Sequence, residues 1–358
     1  MKKVLFVFYV PSGGVETLNR QRCAALKTFN IEGHSLYYQK KRDLLNPSEG
    51  RTFIGKDPEM IKRVLTEGKY SAIVVISDYQ ILPLFRKLGY KGKLIIEIQG
   101  LGSKERARQF LTQGKSIIEA HADALLNPKT PHIEKLLHEL FPSTPKFSFN
   151  NCFDTRAFHY TQTKKSAYPI IGWTGRIDDN KNWSEFLRIG HRLIKEVNPN
   201  TQLYMFEDPS LCDAEERKRF FQMIRTLDLQ KNLSLLHHVP HDKMPNYFSA
   251  MGESGGFYCS TSKVEGAPYS VLEALSCKCP VLTTDSDGVR SAVIDNETGI
   301  YYTLGNIQEA VKEARELMTN SKKREEIRDS GLKHVQHHFH PNQYSTHFIQ
   351  MLTSIGAM

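Results

Sequence analysis

Two carboxylates, Glu265 and Glu273, flank a turn in the second half of the chain. Seven residues separate them, including Gly266 and Pro268, and a helical pattern begins at Ser270. The first N–H groups of a helix have no partner inside the helix, so they can hold an anion. One end of this stretch could therefore contact a sugar, its middle a phosphate, and its far end a ribose.

The same stretch also fits an ordinary helix start. Ser270 and Glu273 have the spacing of a capping box, in which the Glu273 side chain would bond back to the Ser270 amide. The spacing alone does not choose between a ligand site and a cap, so residues elsewhere must decide.

Two cations near the middle of the chain favour the ligand-binding interpretation. Arg176 and Lys181 follow a predicted strand at residues 170–173, and parallel sheets bind ligands at the carboxyl ends of their strands. Arg176 offers a planar fork and Lys181 a compact point charge, and together they suit a diphosphate. Loop cations are normally just solvated, so this interpretation depends on the Glu265–Glu273 stretch lying on the same rim.

The elements that must position these residues alternate between apolar runs and helical spacing. In the first half, strands are predicted at residues 4–10, 35–38, 72–76, 93–98, 124–126 and 147–149, and helices at 16–29, 58–67, 80–88, 103–120 and 133–141. The second half has predicted strands at 170–173, 203–206, 233–236, 256–259 and 281–283, with a helix at 183–197. Such alternation implies parallel sheets with helices on both faces.

Length and composition predict two domains. A chain of 358 residues exceeds the usual limit of a single hydrophobic core, and the polar stretch at residues 155–169 is the best linker candidate. The predicted fold is α/β, with two Rossmann-like doubly wound domains at residues 1–155 and 165–335 whose rims face each other across a cleft. A helical pattern in the tail, within residues 341–358, completes the chain.

On the first domain's predicted rim lie a glycine loop with Gly13 and Gly14, and Gln99 at the end of a later strand. Two adjacent glycines would let a phosphate or sugar approach the backbone closely. The loop is not G-x-G-x-x-G, so it does not support a dinucleotide site, and a tight strand-to-helix turn is the other interpretation.

Charge narrows the class of partner. The chain has 48 Lys and Arg against 39 Asp and Glu, a formal charge of +9, which favours anionic partners. Residues 86–115 hold eight basic residues against two acidic ones and include an amphipathic helical pattern. This segment could lie on an anionic membrane, or it could be a solvated helix face above a core stripe. Nucleic-acid binding is disfavoured, because the basic residues lack interleaved aromatics or a known module.

Neither the cysteines nor the histidines predict a metal site. None of the six cysteines forms a CxxC pair, and we expect reduced, buried thiols in a cytoplasmic protein. The histidine clusters at residues 237–241 and 337–340 lack the acidic or thiol ligands of a convincing set. The short apolar start favours a buried strand over a signal peptide, and no segment reaches the ~20 apolar residues that span a bilayer.

Several motifs together resemble glycosyltransferase family 4, a family of retaining, sugar-nucleotide-dependent enzymes with the GT-B fold. The resemblance is strong over residues 170–305 and weaker before them. Lys278 and Cys279 depart from the family's E-A-x-A-x-G-x-P-V run. The motifs are Gly13-Gly14-Val-Glu16, Gly175-Arg176 with Lys181-Asn182, the paired Glu265 and Glu273, the run from Glu273 to Val281, and Asp287-Gly288 continuing to Thr298-Gly299.

The resemblance implies that residues 1–155 form the acceptor domain, with the helix at residues 341–358 packing back on it, and that residues 165–335 form the nucleotide-sugar donor domain. It also implies a role for each matching position. Arg176 and Lys181 would hold the diphosphate, while Glu265 would contact hydroxyls of the transferred sugar. Glu273 would bind the ribose. Further contacts with the sugar, the phosphates or the base would come from Gly13, Gly14, Ala267, Pro268, Tyr269, Ser270, His238 and Val239.

The activity that this resemblance implies is a retaining, metal-independent transfer of a sugar from a nucleotide-diphosphate donor, with UDP as the favoured nucleotide. Two cations and a helix N-terminus would stabilise the charge that the leaving diphosphate gains, and no D-x-D motif stands between the lobes. No cofactor is expected beyond the nucleotide-sugar co-substrate. The acceptor would be a cell-wall or surface glycoconjugate that is anionic or membrane-associated, met at the inner face of the membrane through residues 86–115.

Gln99 stands where the family often has a histidine. A glutamine can hydrogen-bond a sugar hydroxyl but cannot act as a base at neutral pH. This departure leaves open an altered mechanism, or a catalytically silent GT-B partner protein that binds sugar or supports an active transferase.

Overall fold

The computed structural model describes residues 1–40, 48–164 and 166–358. Within them the chain forms two compact units, Met1–Asp154 with His338–Met358, and Thr155–His337. The predicted linker at residues 155–169 includes Lys165, at which the second predicted domain begins, and this residue lies outside the described residues.

The first unit is built on a seven-stranded parallel sheet. Its strands β1 to β7 are Lys2–Phe8, Ile31–Tyr37, Thr52–Ile54, Ala72–Ile76, Lys93–Glu97, Ala124–Asn127 and Lys146–Ser148. Helices α1 to α5 are Gly13–Lys27, Pro58–Gly68, Leu82–Lys87, Lys104–His121 and Pro131–Leu140. The strand order is β3-β2-β1-β4-β5-β6-β7.

The second unit repeats this plan with a six-stranded parallel sheet. Strands β8 to β13 are Ile170–Thr174, Gln202–Glu207, Leu233–His237, Phe257–Ser260, Val281–Thr284 and Ile300–Tyr302, in the order β10-β9-β8-β11-β12-β13. Helices α6 to α11 are Trp183–Glu196, Ala214–Thr226, Met244–Glu253, Tyr269–Ser276, Ile307–Thr319 and Ser321–His338. The last helix, α12 at Pro341–Ser354, belongs to the first unit.

Both sheets reverse their strand order at one point, between β1 and β4 in the first and between β8 and β11 in the second. At such a reversal the crossover helices diverge to opposite faces and leave a crevice outside the carboxyl ends of the strands. Arg176 follows β8 and Glu265 follows β11, so both flank the reversal of the second sheet. The two-unit Rossmann-like architecture predicted from the alternation is confirmed.

Three local predictions were incomplete. The helix expected from residue 16 begins at Gly13, so the two glycines open α1 rather than forming a loop before it. Gly13 has φ +73, a conformation that glycine adopts without strain, and its low helix propensity hid the true start. The short strands β3 and β13 were missed because three residues each are too few for a periodic signal. The helix expected at residues 80–88 begins as a turn of 3₁₀ helix, and α3 follows it.

The core of the first unit includes residues from the end of the chain. In α12, Phe348 is fully buried and its ring lies 5.9 Å from that of Phe6 in β1. Tyr344, one turn earlier, lies 5.6 Å from the ring of Phe149. Residues 338–358 therefore close a core that the first 154 residues begin.

A buried ion pair ties α1 to the central strands of this unit. Nη1 of Arg22 donates to Oε2 of Glu97, at the end of β5, over 2.7 Å, and neither side chain is exposed by more than 2%. The guanidinium also lies 3.7 Å from the ring centre of Phe6 and donates to Oδ1 of Asn19. Removing one partner would leave the other charge buried and unpaired, which costs far more than losing a surface pair.

We expect Glu97→Leu to lower the free energy of unfolding by about 3–5 kcal/mol, because Arg22 would stay buried without its carboxylate. The matched control is Glu139→Leu, which frees Arg108 from a 2.6 Å pair whose partners are 51% and 45% exposed. That loss should not exceed about 1 kcal/mol. Urea unfolding followed by far-UV circular dichroism measures both, and equal losses would contradict a dominant role for the buried pair.

Candidate functional site

In the second unit, the loops after β8 and β11 are bound to each other. Nζ of Lys181 forms an ion pair with Oε1 of Glu265, and both side chains are largely buried. The side-chain amide of Asn180 donates to the carbonyl of Val264 over 3.0 Å, and the N–H of Lys263 donates back to Asn180 over 2.8 Å. The two predicted site residues Lys181 and Glu265 therefore lie together at the reversal of the sheet.

The backbone of Glu265 is fixed from a third loop, the one after β12. Its N–H donates to the carbonyl of Ser286 over 2.8 Å, and its carbonyl accepts from the N–H of Gly288 over 3.1 Å. The backbones touch so closely that a Cβ atom on Gly288 would lie 1.9 Å from the carbonyl oxygen of Gly266. A glycine at position 288 is thus a condition for the observed position of Glu265.

Arg176, by contrast, extends into solvent. Its side chain is 58% exposed, and its nearest carboxylate is that of Asp178 at 3.0 Å. An exposed pair of this kind is worth about 1 kcal/mol or less, so an anion with two charges could displace it. Asp178 also accepts from the N–H of Lys181 over 2.8 Å, which shapes the loop that carries both cations.

The capping box, the alternative interpretation of Ser270 and Glu273, is not formed. Helix α9 begins at Tyr269, one residue earlier than expected, with Pro268 at the N-cap position and no side-chain cap among the described residues. The hydroxyl of Ser270 accepts instead from the hydroxyl of Tyr258 over 2.8 Å. Burial raises the pKa of Tyr258, so this hydroxyl remains a donor.

Glu273 turns away from its own helix start. Its Oε1 lies 2.7 Å from Nε2 of His241, in the turn that precedes α8, and its side chain is 9% exposed. The other two histidines of the 237–241 cluster lie near different carboxylates, His237 at 2.8 Å from Glu207 and His238 at 3.9 Å from Asp208. The cluster therefore does not converge on one point.

The remaining predicted positions of this unit lie around the same loops. Pro268 and Tyr269 are buried at the start of α9, and Ala267 before them is half-buried. His238 follows β10 with φ +52, and its side chain is 51% exposed, whereas Val239 is half-buried. That these two residues line a base stays a prediction.

A D-x-D sequence does occur within the second unit, at Asp285-Ser286-Asp287 after β12. Asp285 forms an ion pair with Arg290, and Asp287 occupies a φ of +68 at the bend before Gly288. Among the described residues, no three His, Cys, Asp or Glu side chains gather in a way that could hold a metal ion.

In the first unit, Gly13 and Gly14 open α1 just beyond β1, at the reversal of that sheet. Ser12 precedes the helix in an extended conformation and makes no side-chain cap within the described chain. A Cβ atom on Gly13 would meet no atom of the described residues within 4 Å, so these residues leave the helix start open to an approaching group.

Gln99 is held by its neighbours rather than presented freely. Its Nε2 donates to Oε1 of Glu97 over 2.8 Å and to Oδ1 of Asn151 over 3.0 Å, while its Oε1 accepts from Nδ2 of Asn151 over 2.8 Å. Both N–H groups of the amide are thereby used, and one lone pair of Oε1 remains for a hydroxyl donor. Through Glu97 this pair of amides is joined to the buried charge of Arg22.

Sequence reasoning missed two residues of these networks, His241 and Asn151. In the sequence, His241 stood out only as part of a possible metal-binding cluster. Glu273 is 32 residues away, and no local pattern links the two residues. Asn151 lies in an irregular stretch after β7. Such a stretch has no periodic pattern from which the direction of a side chain could be predicted.

The apolar side chains of α4, the helix that overlaps the basic segment at residues 86–115, pack into the core of the first unit. Leu111 and Ile118 of α4 are fully buried in the core of the first unit, so this side is unavailable to a membrane. Arg86 and Lys93 pair with Asp123 at 2.9 and 3.2 Å. Among the described residues, no helix has the length and apolar composition needed to cross a bilayer.

Comparison with known proteins gives one family match. The profile of the family described as Glycosyl transferases group 1 matches residues 154–334. A protein of Methanocaldococcus jannaschii described as an uncharacterized glycosyltransferase is 29% identical over 225 residues, which are 61% of this chain and 44% of that protein. The chain thus matches less than half the length of this relative.

Solved structures match the whole fold. Sucrose-phosphate synthase from Thermosynechococcus elongatus superposes with a TM-score of 0.84 at 16% identity, covering 100% of both chains. HepE from Anabaena, in complex with UDP and glucose, superposes with a TM-score of 0.81 at 15% identity over 99% of this chain and 100% of that one. At these identities the match concerns the fold alone, and it confirms the predicted GT-B class of two Rossmann-like domains.

We expect Gly288→Ala to destabilise the second unit by about 1–3 kcal/mol, because the added methyl group would press on the backbone beside Glu265. Thermal unfolding followed by the fluorescence of Trp173 and Trp183, both in this unit, measures the loss. Glu297→Ala, at an exposed site nearby, is the control. An unchanged unfolding temperature for Gly288→Ala would show that the three loops do not depend on this close approach.

Proposed function

The chain belongs to the glycosyl transferases group 1 family, and from this premise we propose that it transfers a sugar from a UDP-sugar with retention of configuration, as in glycosyltransferase family 4. The observation that carries the proposal is the cluster at the reversal of the second sheet. There Lys181, Glu265 and the start of α9 share one rim, with Arg176 beside them.

The two cations would act on the diphosphate. Breaking the bond between the anomeric carbon and the phosphate oxygen leaves negative charge on the diphosphate, and groups that bind this charge more strongly as it grows lower the barrier. The ammonium of Lys181 has three donors, so it can keep its contact with Glu265 and still donate to a phosphate oxygen. Arg176 is exposed enough to turn from Asp178 to the phosphates.

Helix α9 and its two glutamates would complete the donor site. The N-terminal end of α9 would face the phosphates with its partial positive charge. Ala267, Pro268, Tyr269 and Ser270 would form the wall of this part, although Pro268 has no N–H to donate. Glu265 would accept hydrogen bonds from hydroxyls of the transferred sugar, and Glu273 from those of the ribose.

Three further parts of the proposal concern the base, the metal and the contacts of the first domain with the donor sugar. His238 and Val239 would line the base, for which UDP is favoured by the UDP bound in the HepE structure. The two cations and the start of α9 would already stabilise the negative charge of the diphosphate, so the reaction is proposed to need no metal ion. Gly13, Gly14 and the free lone pair of Gln99 would contact the donor sugar from the first domain.

An anionic or membrane-associated acceptor is proposed from the charge of residues 86–115. The exposed basic residues Lys104 and Arg106 at the start of α4 could attract phosphate groups of a surface polymer or of lipid headgroups. Since the apolar side of α4 is buried, such a contact would be electrostatic and would weaken with salt.

The second candidate function is a silent partner protein, which binds the donor without cleaving it. It is favoured by Gln99, whose amide is committed to Glu97 and Asn151 and has no proton-accepting nitrogen. The two candidates differ in whether UDP is released from UDP-sugar by the wild-type chain.

We expect Lys181→Ala to lower the rate of UDP release from a UDP-sugar about 100-fold, since one preorganised donor to a developing charge is worth roughly that factor. Arg176→Ala and Glu265→Ala should lower it as well. Lys263→Ala, which breaks a 2.6 Å pair with Asp179 in the same loops, is the matched control. If Arg176→Ala and Glu265→Ala both leave transfer intact, the proposal is wrong, and if the wild type binds donor without releasing UDP, the silent partner is favoured.

The donor itself is tested by thermal shift with UDP-, GDP- and ADP-sugars. A bound donor present at about 100 times its Kd should stabilise the protein by roughly 2.7 kcal/mol. We expect the UDP-sugars to give the largest shift. A larger shift with a GDP- or ADP-sugar would overturn the assignment of the base and leave the diphosphate site standing.

A further inference from the structure

Glu273 is held by a histidine from another element of the second unit. Nε2 of His241 lies 2.7 Å from Oε1 of Glu273, and 32 residues of sequence separate them. A neutral imidazole must carry its proton on Nε2 to donate in this contact. The ring of His241 also packs against that of Phe158, with centres 5.0 Å apart, which restricts its rotation.

The contact with His241 engages one oxygen of the Glu273 carboxylate, Oε1, and does not engage the other, Oε2. Among the residues that the structure describes, Oε2 of Glu273 has no hydrogen-bond partner. The side chain is nevertheless almost enclosed, at 9% exposed. An enclosed carboxylate with one fixed and one unused oxygen is prepared to accept from a hydroxyl group of a ligand.

The observed start of α9 accounts for the absence of a capping box. Tyr269 is the first residue of the helix, so Ser270 is the second and Glu273 the fifth. A capping box joins the N-cap residue to the third residue of a helix. Glu273 is therefore not placed to cap α9, and its carboxylate is available to His241.

We propose that His241 is a positioning residue, which orients Glu273 to accept from a ribose hydroxyl and so makes the site selective for ribonucleoside diphosphates over their 2′-deoxy forms. The inference rests on the proposed function, since it assumes that a nucleoside diphosphate binds here. His241 itself touches neither the transferred sugar nor the reacting atoms.

Calorimetric titration with UDP and with 2′-deoxy-UDP tests this role in three variants. His241→Phe keeps an aromatic ring against Phe158 but removes the donor, whereas His241→Gln places an amide N–H at a similar reach to Nε2. His191→Asn is the control, because His191 lies in α6 and its Nδ1 is 2.8 Å from a backbone carbonyl, that of Leu227, rather than from a carboxylate. All variants are compared in the full chain.

The wild type should bind UDP about tenfold more tightly than 2′-deoxy-UDP, since a hydrogen bond to a charged group contributes at least that factor. In His241→Phe this preference should fall towards one, chiefly through weaker binding of UDP. His241→Gln should restore most of it, and His191→Asn should keep the wild-type ratio. A structural defect alone would weaken both nucleotides by the same factor and leave the ratio unchanged.

The outcomes separate this inference from the proposed function. If the wild type prefers UDP and His241→Phe keeps that preference, His241 does not position Glu273, while the donor site stands. If UDP and 2′-deoxy-UDP bind the wild type equally, Glu273 does not hold the 2′-hydroxyl of the ribose, and the inference is wrong. If neither nucleotide binds, the proposed function fails as well.

Discussion

The parallel pairing of β8 with β11 is the interaction on which the candidate site depends. Phe257 and Tyr258 pair with Ile171 and Gly172, so the loops that follow the two strands must leave the sheet at the same edge. A glycine just before β11 permits this close approach, since a Cβ atom on Gly256 would lie 1.9 Å from the carbonyl oxygen of Ile170. With the strands so close, Lys181 and Glu265, 84 residues apart in sequence, become ion-pair partners.

The fold could be predicted because apolar residues follow regular patterns in its strands and helices. Strands that are buried on both faces appear in the sequence as continuous apolar runs, and helices appear as apolar residues spaced along one face. The alternation of the two elements permits few topologies. The five apolar residues of β4, all buried, are an example. The positions of Arg176, Lys181 and Glu265 at strand ends followed from the same pattern, which is why the cluster could be predicted before its geometry was known.

What escaped prediction depends on contacts between distant residues. The partner of Glu273 is a histidine 32 positions away, and the amide of Gln99 is held by Asn151, 52 positions away. The capping box, one of two interpretations of Ser270 and Glu273, is absent because α9 begins one residue earlier, and these side chains contact Tyr258 and His241 instead. Local spacing predicts which groups could meet, but tertiary neighbours decide which of them do.

The position of α12 has a consequence for how the protein is made. The first unit needs residues 338–358 to bury Phe6 and to enclose Arg22, yet these residues follow the entire second unit in the sequence. During synthesis the chain emerges from its N-terminal end and domains fold as units, so the continuous second unit can finish folding while the first still exposes apolar surface. The N-terminal unit is therefore the last to be completed, although its residues are the first to be synthesised.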